Sequence, residues 1–197
     1  MTSKRTLFAL LAAVALVQSA ALLKMVYDRH TLIKTGREIA IPVVPVDPRD
    51  LMRGDYVTLG YPISPLRRSA LPGGDRVAKL NSGAAIYVTL SPESAGGWKP
   101  VALAATYPPD VTQGDVVIKG RVQYNYGGDA ANTGANDNLA VRYGIESYFV
   151  PEGTGKPIEL SIRDRQVAAI VAVGPDGTAA LKGLVIGDER HEDPPIF

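Results

Sequence analysis

The stretch VDPRDLMRGDYVTLGYPIS, residues 46–64, sets turn formers directly against a strand former. Pro48 and Asp50 favour a turn, and Gly54 supplies a backbone free of Cβ constraint. Asp55 then stands where a carboxylate can accept nearby backbone N–H groups. From Tyr56 onward the residues alternate, with Asp55, Val57, Leu59 and Tyr61 on one face and Tyr56 and Thr58 on the other. The segment therefore reads as a bend leading into a strand, and its first duty is to shape backbone.

The same grammar extends along the body. Nine β-type runs are predicted: 37–46, 55–64, 84–90, 99–106, 115–126, 145–150, 157–162, 165–173 and 178–186. They are rich in Val, Ile and Tyr, and most gaps carry Gly, Pro, Asp or Asn. Of the two longer gaps, 65–83 has room for a short helical turn, whereas 127–140 is small and polar. The expected fold is mainly β, a sandwich or partly open barrel of about eight or nine strands.

An internal likeness accompanies this pattern. PRDLMRGDYVTLG (48–60) and PPDVTQGDVVIKG (108–120) share six of thirteen residues without a gap, against roughly one from average usage. Downstream, PESAGGWKPVAL (92–103) is similar to PEGTGKPIEL (151–160). The sequence thus suggests a degenerate duplication, with copies at about 38–106 and 98–165 and Gly54 equivalent to Gly114.

The N-terminus differs from all of this. After a short basic head, residues 1–5, the run TLFALLAAVALVQSAALL (6–23) carries no charge and no polar stripe. Eighteen helical residues reach roughly 27 Å, close to the hydrocarbon thickness of a bilayer. Small residues at Val17-Gln18-Ser19 and Ser19-Ala20-Ala21 fit a cleavage site loosely. Apolar character continues through Leu22, Leu23, Met25, Val26 and Tyr27, which favours an uncleaved anchor over residues 6–27. The basic head favours export of the body, although Lys24, Arg29, Lys34 and Arg37 beyond the helix weigh the other way. The β domain is placed at 37–186, and residues 187–197 form a polar tail.

Composition narrows the chemistry. With 21 Lys and Arg against 20 Asp and Glu, the chain lacks the basic surplus that nucleic-acid binding wants. It has no cysteine, which excludes disulfides, thiolate metal sites and cysteine nucleophiles. No phosphate-cradling glycine pattern and no H-E-x-x-H arrangement occurs, so no cofactor or metal is expected. A signal-peptidase reading of the region fails because Pro45 stands where the nucleophile belongs.

Residues 54–61, Gly-Asp-Tyr-Val-Thr-Leu-Gly-Tyr, fit the pattern GDYXXLXY. With PVDPRDLMR before them and YFVPEGTGKPIEL after, the chain from about 36 to 160 resembles the bacterial membrane-associated family that bears this name. The resemblance implies an N-terminal anchor in the bacterial inner membrane, an extracytoplasmic body, and a multi-spanning membrane protein as partner. It brings no catalytic residues. Asp47, Asp50, Arg53, Gly54, Asp55, Tyr56, Leu59, Tyr61 and Glu152 are the motif and binding candidates. The favoured function is a binding or accessory module held at the bilayer by its helix. The alternative is an envelope hydrolase using Asp50 or Asp55 with Glu152 as a carboxylate pair.

Overall fold

The computed structural model describes residues 4–45, 56–94, 96–126, 137–151, 155–164 and 166–192. Helix α1 runs unbroken from Lys4 to Thr35, and its Thr6–Thr35 portion is long and apolar enough to cross a membrane. Leucines and valines are exposed all along it, as expected for a helix with no amphipathic face. Only its last turns meet the body. Arg29 donates to the Ala179 carbonyl at 3.0 Å, and Leu32 reaches Gly174. The Gly36 amide closes the helix on Leu32 O at 2.8 Å, and a Cβ at Gly36 would lie 2.6 Å from that oxygen. Strand β1 (Arg37–Pro42) begins at the next residue.

The body is mainly β, as the residue pattern implies. Strands β2 (Tyr56–Thr58), β3 (Pro65–Arg67), β4 (Ala85–Pro92), β5 (Trp98–Ala104), β6 (Val116–Asn125) and β7 (Asn138–Arg142) follow β1 in order. After β8 (Ser147–Phe149) come β9 (Val167–Val173), β10 (Ala179–Ile186) and β11 (Glu189–Glu192). They form three antiparallel sheets ordered β1-β9-β10-β11, β2-β8 and β3-β7-β6-β4-β5. A 3-10 turn (Arg68–Ala70) and helix α2 (Gly74–Val77) occupy the first long gap, where a helical turn was expected.

One core joins the sheets. Ile39, Ile41, Val57, Leu59, Ile86, Val88, Ile118, Val141, Val171 and Leu184 are all buried in it. Each comes from alternate positions of its strand, the signature of a sheet with one face inward. On the other face of the four-stranded sheet, Glu38 bonds Lys182 and Arg190, and Arg190 also bonds Glu192. These ion pairs lie at the surface and contribute little each.

Three expectations need correction. The run 157–162 is not a strand: Gly155–Arg163 is helix α3. Its alternating pattern fits a strand only if Leu160 is buried, and Leu160 is 59% exposed. Ile158 and Ile162, four apart, turn inward instead, and Pro157 is tolerated in a first helical turn. Among the described residues there are eleven strands, because β3, β7 and β11 lie outside the nine predicted runs.

The suggested duplication is not carried into the described fold either. Residues 98–104 are strand β5, while the similar 155–163 are helix α3. Val57 and Leu59 are in the core, yet their sequence equivalents Val117 and Lys119 face away from it, and Val116 and Ile118 point in. A one-residue offset in facing reverses every side chain of a strand, so the two copies present different positions to the one core. Gly54 lies outside the described residues, so its equivalence with Gly114 does as well.

Candidate functional site

The motif strand meets a partner far away in the chain. Tyr56, Val57 and Thr58 pair with Phe149, Tyr148 and Ser147. The ladder continues as Leu59 N–H bonds Glu146 O at 2.8 Å and Val141 N–H bonds Ser64 O at 3.0 Å. It resumes with Pro65, Leu66 and Arg67 opposite Ala140, Leu139 and Asn138. Segments 56–67 and 138–149 are thus one antiparallel ribbon in unshifted register, bent at its middle from one sheet into another.

The bend is held by two tyrosines that exchange equivalent bonds. Tyr61 Oη donates to Ile145 O at 2.6 Å, and Tyr143 Oη donates to Ile63 O at 2.6 Å. Each phenol therefore reaches the carbonyl two residues past the other phenol. Tyr61 is 1% exposed and Tyr143 is 6% exposed. Their backbones leave the ladder here, and the hydroxyls satisfy carbonyls that burial would otherwise strand. Glu146 completes the device by accepting from the Tyr143 and Gly144 amides at 2.6 and 2.9 Å. Gly144 takes a φ of 78°, a left-handed torsion that a glycine adopts without strain. Burial, with Glu146 nearby, pushes both phenol pKa values up, so both hydroxyls keep their protons and act as donors.

A family model matches residues 18–184 of the chain. The chain belongs to the GDYXXLXY protein family. No curated protein and no solved structure matches it. The family motif now has physical content over its described part. Leu59 is buried at 1% exposure, and Tyr61 locks the bend. Tyr56 remains half-buried at the surface, its ring 6.0 Å from that of Phe149. Asp47, Asp50, Arg53, Gly54, Asp55 and Glu152 lie outside the described residues.

Beside the ribbon, a cleft of about 330 Å³ opens between β8 and α3. Phe149, Val150, Pro157, Ile158, Ile186 and His191 line it, so its walls are largely apolar. Its rim is formed in part by β8, which pairs with β2, and by β11, which pairs with β10. Phe149 stands at that rim with 71% of its surface exposed.

Three described carboxylates are stabilised in their charged form. Hydrogen bonds from Arg190 and Lys182 hold Glu38 down at about 2. Asp137 is lowered by Ser69 and Asp176 by Thr178. All three carboxylates are thus committed to neighbours as anions. Among the described residues no group of three His, Cys, Asp or Glu could hold a metal. Sequence reasoning missed Tyr143, Glu146 and the cleft. The likeness of Tyr61-Pro62-Ile63 to Tyr143-Gly144-Ile145 was the available signal for the first of these.

Proposed function

We propose that the chain is a non-catalytic binding module, tethered by α1 in the inner membrane and holding its β body at a fixed attitude outside the cytoplasm. One observation carries this reading: helix and body are joined without a linker. Gly36 alone separates α1 from β1, and the last turns of the helix are bonded to the sheet through Arg29 and packed through Leu32. From Leu23 to Arg29 the rise is only about 9 Å, so a membrane-crossing α1 would set the body against the headgroup layer. Cleavage at the small residues near Ala21 would discard most of a helix whose end is built into the fold, which favours a retained anchor.

The partner on this reading is an integral membrane or envelope protein lying beside the anchor, and the cleft between β8 and α3 is its contact. Largely apolar walls and the exposed Phe149 ring suit an apolar segment of another protein. The test is a photoreactive residue at Phe149 in the full chain, irradiated in native membranes. A reproducible adduct with one membrane or envelope protein, absent when the residue sits at exposed Arg163, supports the module. Adducts that are the same from both positions, or none from Phe149, would refute it.

A further inference from the structure

We propose that the outer face of the five-stranded sheet binds an acidic polysaccharide. Strand register defines that face. Arg121 of β6 stands directly opposite Arg142 of β7, and Tyr124 stands opposite Ala140. Tyr126, beyond the end of β6, bonds Asn138 through its amide at 3.0 Å, and Asn138 is in turn opposite Arg67. Lys119 lies two residues before Arg121 on the same side. None of the five strands contributes an Asp or Glu anywhere along its length.

Two features of this face go beyond what its contacts within the fold require. The first is charge. Like charges directly opposite on neighbouring strands disfavour a sheet, yet Arg121 and Arg142 are placed so. Arg121 donates to Gly83 O, and the Arg142 side chain is 65% exposed with Glu146 at 3.7 Å. A guanidinium carries five N–H donors, so both retain capacity for an anion. Among the described residues the nearby acids have other partners: Glu146 also holds the Tyr143–Gly144 turn, Asp137 accepts from Ser69 and pairs with Arg68, and Asp176 holds Thr178.

The second feature is aromatic. Tyr124 and Tyr126 stand with ring centroids 6.0 Å apart and planes within 22°. They are 53% and 56% exposed, and small Ala140 beside Tyr124 leaves the rings uncrowded. The electron-rich face of a tyrosine accepts the C–H edge of a sugar ring, while its hydroxyl bonds sugar hydroxyls. The Arg pair lies two residues from Tyr124 along β7, roughly 7 Å, about the spacing from a sugar ring to its neighbour's carboxylate. An acidic peptide would use the charge but offer the rings no flat partner. A saccharide carrying carboxylates uses both, and this complementarity of charge and shape selects it.

The inference deepens the binding-module reading by naming a ligand on a different face from the Phe149 cleft, so the two tests fail separately. Full-length chain in nanodiscs of zwitterionic lipid is titrated with oligogalacturonate by calorimetry. Binding that weakens with added salt, and weakens at least about tenfold with the methyl-esterified oligomer, is expected. Arg121→Glu with Arg142→Glu, and separately Tyr124→Ala with Tyr126→Ala, should each lower affinity about tenfold or more. Melting followed by Trp98 fluorescence checks folding, and Arg121→Gln with Arg142→Gln replaces the reversal should that variant melt early. Equal binding of the esterified oligomer, equal binding by either variant pair, or no binding would overturn the proposal. Equal binding of polyglutamate or of anionic vesicles would overturn it too, by assigning the face to an acidic protein or a lipid surface.

Discussion

Replacing Tyr61 by Phe removes one oxygen from the bend and leaves everything else in place. Ile145, whose carbonyl accepts the 2.6 Å bond, is 1% exposed, so water has no easy route to the vacated acceptor. Leaving a buried acceptor unpaired costs about 1–3 kcal/mol. In a body of this size each kcal/mol moves the melting midpoint by about 2–4 °C. Tyr61→Phe should therefore melt about 2–12 °C below the parent, and Tyr143→Phe should behave alike because its bond to Ile63 O is the mirror of the first. Trp98 fluorescence of the full chain in detergent reads the transition. Tyr107→Phe, on a residue 41% exposed, is the control and should shift by no more than about 0.5 kcal/mol. The double variant tests the pairing itself: residues sharing one bend should depart from additivity by about 0.5 kcal/mol or more. If both single variants melt with the control, the tyrosines do not hold the bend and the account of the motif falls.

Other substitutions probe the remaining joints. At Gly120 a Cβ would lie 2.3 Å from Val141 Cγ1 and 3.1 Å from Arg142 O, so Gly120→Ala should destabilise by about 1–3 kcal/mol in the same melting assay. Gly36→Ala drives a methyl to 2.6 Å from Leu32 O, and should cost about 1–3 kcal/mol while speeding hydrogen exchange in the last turn of α1. Glu38 carries a folded pKa of about 2 against an ordinary 4.5, because Arg190 and Lys182 donate to it. Its contribution to stability is then complete above about pH 4.5 and is lost as pH falls toward about 2. Glu38→Gln should flatten the melting midpoint across that window relative to the parent, which a pH series of melts checks.

Much of the architecture is legible in the residues because burial writes a period. The uncharged run before Lys24 announces α1, alternation in 84–90 and 115–126 announces β4 and β6, and the unbroken apolar run 167–173 announces β9. The reading fails where two periods fit the same letters. In Pro157–Ile162, Ile158 and Ile162 satisfy both a strand and a helix, and only Leu160 distinguishes them, through an exposure no local rule foretells. It fails again where likeness in sequence is mistaken for likeness in facing, as with Val57 and Val117. The role of Tyr61 was half visible: packing follows from alternation, but its hydroxyl's partner is 84 residues away. Short β7 was hidden inside a polar gap because Leu139 and Val141 alone face inward there.

The attachment of α1 has a consequence for the order in which the molecule is made. Its last turns rest on Ala179 and Gly174, and β1 is zipped to β9 from Arg37↔Val173 to Pro42↔Ala168. Those supports are synthesised more than a hundred residues after the helix itself. Until Val167–Ile186 has emerged, the stem has nothing to seat against, and a nascent chain swings freely from its own apolar helix. Seating comes last, so a chain truncated before β9 should keep its hydrophobic helix yet never gain a fixed posture.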